Sequence, residues 1–539
     1  MKNFDSFGVL IDCSRNAVPN VDGLKRFFCA ISKMGYNTAM LYTEDTYEVE
    51  NEPYFGYKRG RYSIEEIKEI DRYAASVGIE LIPCIQTLAH LRTLKKWRAY
   101  RNIVFDIDDI LLIDEPRTYE LIENIFKTLS KTFSSKRVHI GMDEAHHVGL
   151  GKYLDKHGYT DKYELLMKHL GRVCEIAEKY GYEKTMMAAD LFFSLAPGVF
   201  CSTEVKDFPP EITENVPKNC GVVHWDYFGT DKQRYDAMLL SAKKLSKDVW
   251  FSGGAWTWNT FSPHNRYSMK RNETAIASCV ENGVRQAFFT LWGDDGGECA
   301  YEAVLPALMH AAATAEGMSE TEMKAKFRAI TGEDFDDFCD MDLPNYIYGD
   351  DVPVESPYFQ HSACNYAKIH LYDDPFFGAM SANLASPDAD VYTDYAKRLY
   401  SHAGKSERYG FMYETLARLC DVMNKKLLLA KKTRALYSAR DMAGLKNLAE
   451  NDYAQCIERI NRFYDAFKFQ WYKINKTYGF EIQEARLGGL VLRLESCRER
   501  ILDFTEGKIT NIAELDEGIL PMDDTYITSW SEIVSSNNT

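Results

Sequence analysis

Over roughly its first 315 residues the chain alternates eight times between short apolar or β-branched runs and amphipathic stretches of helical period, the pattern of parallel βα units. The predicted strands are Phe7–Cys13, Tyr36–Thr43, Ile79–Thr87, Arg137–Glu144, Lys184–Asp190, Cys220–Tyr227, Val249–Trp256 and Arg285–Gly293. The helical stretches between them include Ser63–Val77, Pro116–Phe133 and Asp161–Tyr180, which open on residues suited to a helix N-terminus. Several close on glycine just before the next strand, as at Gly35, Gly78, Gly181 and Gly283, where a left-handed residue stops a helix. Eight such units in this length predict a (β/α)8 TIM barrel, with a doubly wound open sheet as the alternative.

The pattern ends after Gly317. Residues 331–357 are rich in Asp, Pro and Tyr without clear period and read as a linker. Beyond them apolar residues return at helical spacing, as in Leu416, Leu419, Met423, Leu427 and Ala430. The expected organisation is a catalytic barrel over 1–330, a linker over 331–357 and a mostly α-helical C-terminal domain over 358–539. That domain is expected to support the barrel or to pair two copies in a homodimer.

Composition narrows the partners. With 45% hydrophobic residues among 539, the chain can bury more than one core. A net charge of −16 and no basic stripe argue against nucleic acid and favour a neutral substrate. The N-terminus lacks the charged and apolar segments of a secretory signal, and no run approaches the ~18 apolar residues that span a bilayer. A cytoplasmic protein away from the membrane is expected, with its 13 scattered cysteines reduced.

In a barrel of this kind functional groups project from the C-terminal strand ends. Those ends carry Asp12, Ser14 and Arg15; Gln86 and His90; Asp143 and Glu144; Asp190; His224, Trp225, Asp226 and Tyr227; Trp256 and Trp258; and Trp292, Asp294 and Asp295. A single tryptophan in a strand is usually core, but four at one mouth, among carboxylates and an arginine, suit a sugar. Its apolar face stacks on indole and its hydroxyls need charged partners. His90 and His224 stand equally as site or core residues, and His146 and His147 as site or solvated loop.

The adjacent pair Asp143 and Glu144 suits acid–base chemistry, because a neighbouring carboxylate holds a proton on the acid by like-charge repulsion. A retaining glycosidase ordinarily places a second carboxylate about 5 Å away as nucleophile. In many barrels it ends strand seven, yet no Asp or Glu occurs from Val249 through Asn259. A substrate could instead supply its own nucleophile, the carbonyl oxygen of a 2-acetamido group.

The run His139-Ile140-Gly141-Met142-Asp143-Glu144 resembles the strand-four motif of glycoside hydrolase family 20, the β-N-acetylhexosaminidases, which work through such substrate assistance. Arg15, Trp256 and Leu291-Trp292-Gly293-Asp294 extend the resemblance, which covers the barrel. The helical C-terminal region resembles a branch lacking the N-terminal α/β domain. It implies a retaining exo-acting enzyme that needs no cofactor or metal and takes a glycan ending in β-linked GlcNAc or GalNAc. By the same resemblance, Glu144 is the general acid and then base, Asp143 holds the acetamido N–H, and Tyr227 orients the acetamido oxygen. Trp256 with Trp225 or Trp258 would wall the N-acetyl pocket and Trp292 would stack beneath the ring. Arg15 and Asp294 would grip the hydroxyls of the non-reducing end, and His90 and Asp226 join the expected binding set. Two departures stand out: strand six reads Trp-Asp-Tyr-Phe, not the common Tyr-x-Asp, and strand eight offers Asp where Glu is usual.

Two other functions compete. A metal-dependent hydrolase on the same barrel would want a histidine cluster that strand one lacks. A non-catalytic carbohydrate-binding protein would have no use for Asp143 and Glu144.

Overall fold

The computed structural model describes residues 1–195, 201–350, 366–382, 387–520, 529–535 and 537. Eight parallel strands close into one barrel in sequence order. They are β1 (Ser6–Asp12), β2 (Thr38–Tyr42), β3 (Glu80–Cys84), β4 (Arg137–His139), β5 (Lys184–Ala188), β6 (Cys220–Trp225), β7 (Val249–Gly254) and β8 (Gln286–Leu291). β1 closes the ring on β8 through pairings from Ser6 opposite Gln286 to Ile11 opposite Leu291. The fold expected from the alternation is therefore the one observed.

Helix boundaries follow the local chemistry. Ser63 caps Ile64–Ser76 with a reciprocal capping box to Glu66, Pro116 opens Pro116–Thr132, and Gly35, at φ 114°, stops Val21–Met34.

Two apolar clusters form the core. The smaller fills the barrel and takes residues from alternate strand positions: Leu10, Tyr42, Ile82, Cys84, Val223, Trp250 and Phe288 are among them. The larger lies between strands and helices and continues without a break from Phe4 to Ile533.

The segment 331–357 holds more structure than its composition suggests. Phe335–Cys339 is helical and Asp340–Asn345 forms a 3-10 turn. The pieces are too short to display a period, yet Phe335, Phe338, Met341 and Leu343 are buried. Asp342 accepts hydrogen bonds from the amides of Asn265 and Arg266 at 2.9 Å each, capping the helix Asn265–Glu281. Residues 351–357 of the expected linker lie outside the described residues.

The described residues beyond it are mostly helical, with Val391–Ala403, Gly410–Lys426, Leu429–Ser438, Ala454–Ile474 and Phe480–Thr505 as their longer elements. They pack directly on the barrel. Phe261, after β7, meets Phe463 and Phe467 edge-on at 5.3 and 5.5 Å, and Lys476 pairs with Glu66 at 2.7 Å. Among the described residues no helix is long and apolar enough to cross a membrane.

Candidate active site

A cavity of about 570 Å3 opens at the C-terminal end of the barrel, within the size range of small-ligand pockets. Leu10, Tyr42, Cys84, Val223 and Phe288 form its floor, so the packed interior of the barrel is also the base of the site. Arg15, His90, Asp143, Glu144, Trp225, Tyr227, Trp258, Trp292 and Asp294 all line it.

The carboxylate pair stands on unusual backbone. The predicted fourth strand, Arg137–Glu144, is regular only through His139 and its backbone bonds to β5 stop at Gly141, because Gly141, Met142 and Glu144 turn left-handed at φ 71°, 68° and 57°. Gly141 is required twice over: its φ is positive, and a Cβ there would come within 2.1 Å of Gln86 Oε1. The close approach lets Gln86 Oε1 accept from the Met142 amide at 3.2 Å. The same side chain donates to Asp143 Oδ1 at 2.7 Å and to Tyr42 Oη at 2.9 Å.

The two acids hold their protons differently. Burial alone would raise Asp143, but the charge of His90 close beside it, with the Gln86 donor, outweighs that and holds its carboxyl far below the usual range. His90 Nε2 lies 3.0 Å from Asp143 Oδ2 and 3.5 Å from Glu144 Oε2. Half of the Glu144 side chain faces the mouth, yet the surrounding walls desolvate its carboxyl and the Asp143 charge adds to the effect, raising its pKa. The pair is thus split into a firm anion and a carboxyl inclined to keep its proton. His139 beneath them accepts from the Gly141 amide at 3.1 Å and is pushed down to about 4 by burial, so it stays neutral.

At the opposite wall Arg15 Nη1 donates to Glu44 and, at 2.7 Å, to Ser14 Oγ, while Nε reaches Asp294 at 3.3 Å. Burial pushes Glu44 up to about 7 even with Arg15 beside it. Asp12 ties the neighbouring loops together, accepting from the Gly293 amide at 2.9 Å. Trp292 stands edge-on to Tyr42 at 4.7 Å and 88°. Tyr227 stacks on Trp225 at 5.3 Å and meets Trp258 edge-on at 5.5 Å.

Two expected binding residues are elsewhere. Asp226 is buried away from the cavity, its oxygens taken by Arg234 at 2.7 Å and by the Phe228 and Gly229 amides at 3.0 and 2.9 Å. Trp256 lies behind Trp258, stacked on it at 3.8 Å, with its indole N–H given to the Trp258 carbonyl at 2.9 Å. His224 is buried against Phe193, and His146 and His147 are exposed.

Glu44 and Tyr42 went unrecognised in the sequence. Strand alternation carries the signal for Tyr42, two residues after the inward-facing Met40, whereas Glu44 lies past the end of β2 on left-handed backbone at φ 45°. Ser529, from the C-terminal region, also lines the cavity and has no such signal. Among the described residues no group of three or more His, Cys, Asp or Glu could hold a metal ion.

A parallel eight-stranded barrel with a split carboxylate pair in an aromatic-walled mouth defines a barrel of the glycoside hydrolase class. The model described as "Glycosyl hydrolase family 20, catalytic domain" matches residues 30–186, and that of the "Glycoside Hydrolase 20C C-terminal domain" matches residues 336–534. The chain belongs to glycoside hydrolase family 20. A beta-hexosaminidase of Vibrio furnissii is 32% identical over 136 residues, 22% of this chain and 22% of that protein. Hexosaminidase D of Bos taurus is 24% identical over 281 residues, 50% of this chain and 75% of that protein. The chain therefore spans about a fifth of the first relative and three quarters of the second. A solved GH20 exo beta-N-acetylglucosaminidase of Vibrio harveyi, in complex with N-acetylglucosamine, superposes with a TM-score of 0.46 at 16% identity, covering 61% of this chain and 58% of that one.

Proposed function

We propose that the chain is a retaining exo-β-N-acetylhexosaminidase that releases terminal β-linked GlcNAc or GalNAc through an oxazolinium intermediate. One observation carries this reading. Besides Asp143 and Glu144, the carboxylates lining the cavity are Asp294 and Asp295, and each is engaged by cations: Asp294 by Arg15, Asp295 by Lys368 and Arg486. Among the described residues no further carboxylate on the cavity wall is left uncommitted to attack the anomeric carbon, which favours a nucleophile carried by the substrate.

In the proposed cycle Glu144 gives its proton to the glycosidic oxygen as the acetamido carbonyl oxygen attacks the anomeric carbon. Asp143, ionised beside His90, accepts the acetamido N–H and stabilises the positive charge that grows on the closing ring. Tyr227 donates to the acetamido oxygen and orients it. Water then opens the ring with Glu144 as base, and two inversions leave the configuration retained. Trp225 and Trp258 wall the N-acetyl group, Trp292 supports the ring, and Arg15 with Asp294 reads the hydroxyls at the non-reducing end. A cytoplasmic location belongs to the same proposal, supported by cysteines that, among the described residues, are scattered and free.

The test is release of p-nitrophenol from the β-N-acetylglucosaminide and the β-N-acetylgalactosaminide against the β-glucoside. Only the acetamido sugars are expected to react, and Glu144→Gln is expected to lose about 100-fold or more in kcat. Equal cleavage of all three would sink acetamido participation.

A further inference from the structure

The loop leaving β8 carries Trp292 and Asp294 into the cavity and then turns on three consecutive left-handed residues, Asp295 (φ 58°), Gly296 (131°) and Gly297 (66°). A left-handed aspartate costs on the order of 1 kcal/mol or more and persists only where its surroundings impose it. From the barrel itself the turn receives the Gly293 carbonyl, which accepts from the amides of Gly296 at 3.2 Å and Gly297 at 2.8 Å.

The other constraints come from the C-terminal domain. Lys368, on the helix Tyr366–Tyr372, donates to the Asp295 carbonyl at 2.7 Å and pairs with the carboxylates of Asp295 and Glu298 at 2.7 and 2.9 Å. Arg486, on Phe480–Thr505, donates to the same carbonyl at 2.5 Å and pairs with the same two carboxylates at 3.1 and 2.8 Å. Gln483 donates to the Gly296 carbonyl at 3.1 Å, and the Trp530 amide to Asp295 Oδ2 at 2.8 Å. The side chains of Lys368 and Glu298 are wholly buried. Two acids face two bases, so the cluster is neutral, and removing one member strands a buried charge. Packing alone would need no such set, since an apolar contact of equal size fastens two domains as well. What the set adds is direction: donors from four residues converge on one turn, next to the aspartate that meets Arg15.

We propose that Lys368 and Arg486 are positioning residues of the sugar pocket. They mould the Asp295–Gly297 turn so that Asp294 meets Arg15, and the hydroxyl-reading wall is built jointly by barrel and helical domain. Ser529, on the cavity wall one residue before Trp530, belongs to the same arrangement. The catalytic consequence rests on the proposed hexosaminidase reading, whereas the moulding of the turn does not.

Two measurements on the full chain test this. Hydrogen exchange over residues 292–300 should speed up by about tenfold or more in Arg486→Ala, with the barrel strands unchanged, and Arg486→Lys should restore part of the protection. With aryl N-acetylhexosaminides, Arg486→Ala should lower kcat/KM by about tenfold or more in the wild-type background, but by less than about twofold when Asp294 is already Ala. Lys368→Met should behave alike, which guards against one variant failing to fold. Unchanged exchange over 292–300, or kinetic effects that simply add, would overturn the inference. Local loosening in a chain that cleaves no hexosaminide would support the moulding and refute the proposed activity instead.

Discussion

The backbone amide of Glu144 donates to Asp190 Oδ2 at 2.8 Å, so a buried carboxylate at the end of β5 holds the residue that faces the mouth of β4. Glu144 is left-handed at φ 57°, and this bond is part of what keeps it there. Removing the acceptor leaves a buried amide unpaired at a cost of about 1 to 3 kcal/mol. Asp190→Leu is therefore expected to lower kcat by roughly 10- to 100-fold, and Asp190→Asn, which keeps an oxygen in place, by much less. Steady-state kinetics on an aryl N-acetylhexosaminide, beside circular dichroism, checks this. Equal losses in the two variants would remove the hydrogen bond from the argument.

Asp190 also predicts a pH effect. Burial and then the Asp143 charge push its carboxyl up to about 7 from an ordinary 3.8. Between these values the folded chain holds a proton that the unfolded chain has lost, so this contribution to stability is present at low pH and fades as pH rises to about 7. Asparagine does not titrate. Denaturant unfolding of wild type and Asp190→Asn should show the wild type losing ground over that window and no further above it.

His90 moves the other way. Burial lowers its pKa, but the charge of Asp143 at 3.0 Å, with that of Glu44, raises it from 6.5 to about 10. The stability it contributes is complete below pH 6.5 and is lost as pH climbs through about 10. The difference in unfolding free energy between wild type and His90→Gln should be largest near pH 6 and shrink by pH 10. A constant difference would mean that His90 acts only by packing.

Arg15 spends three directed donors on Glu44, Ser14 and Asp294. A lysine has one compact ammonium and cannot reproduce that fork. Arg15→Lys should raise KM by about tenfold or more, with a smaller change in kcat, because the lost contacts lie away from the scissile bond. A KM within twofold of wild type would show that the fork does not read the sugar.

Asp226 and Trp258 separate structure from recognition. Asp226→Asn weakens the Arg234 pair and should lower the melting temperature while leaving KM within about twofold. Trp258→Ala removes a cavity wall and should raise KM, and it should also lower the melting temperature because the indole is buried and stacked on Trp256. The reverse pattern would place Asp226 in the site.

The barrel was legible because each strand is a short apolar run with its own helix. The carboxylate pair was legible because it follows such a run. The backbone that presents it was not, since nothing in the alternation shows that Met142 and Glu144 turn left-handed. Alternation could have excluded Asp226. Val223 points into the barrel, which sends Trp225 and Tyr227 to the same side and Asp226 to the other. The same parity misleads for Trp256, because β7 ends at Gly254 and the chain then folds over, giving the cavity to Trp258. Glu44 escaped notice because no strand-two end was weighed. Ser529 is brought to the cavity by Trp530, whose amide meets Asp295 across 235 residues of sequence, a distance no local pattern bridges.

The unbroken apolar cluster from Phe4 to Ile533 has a consequence for how the molecule comes apart. Parting the two halves would wet one shared interior, so neither is an interchangeable module. Heat should melt them in a single cooperative step. The helical half then acts as a buttress whose apolar face is completed only by the barrel it covers.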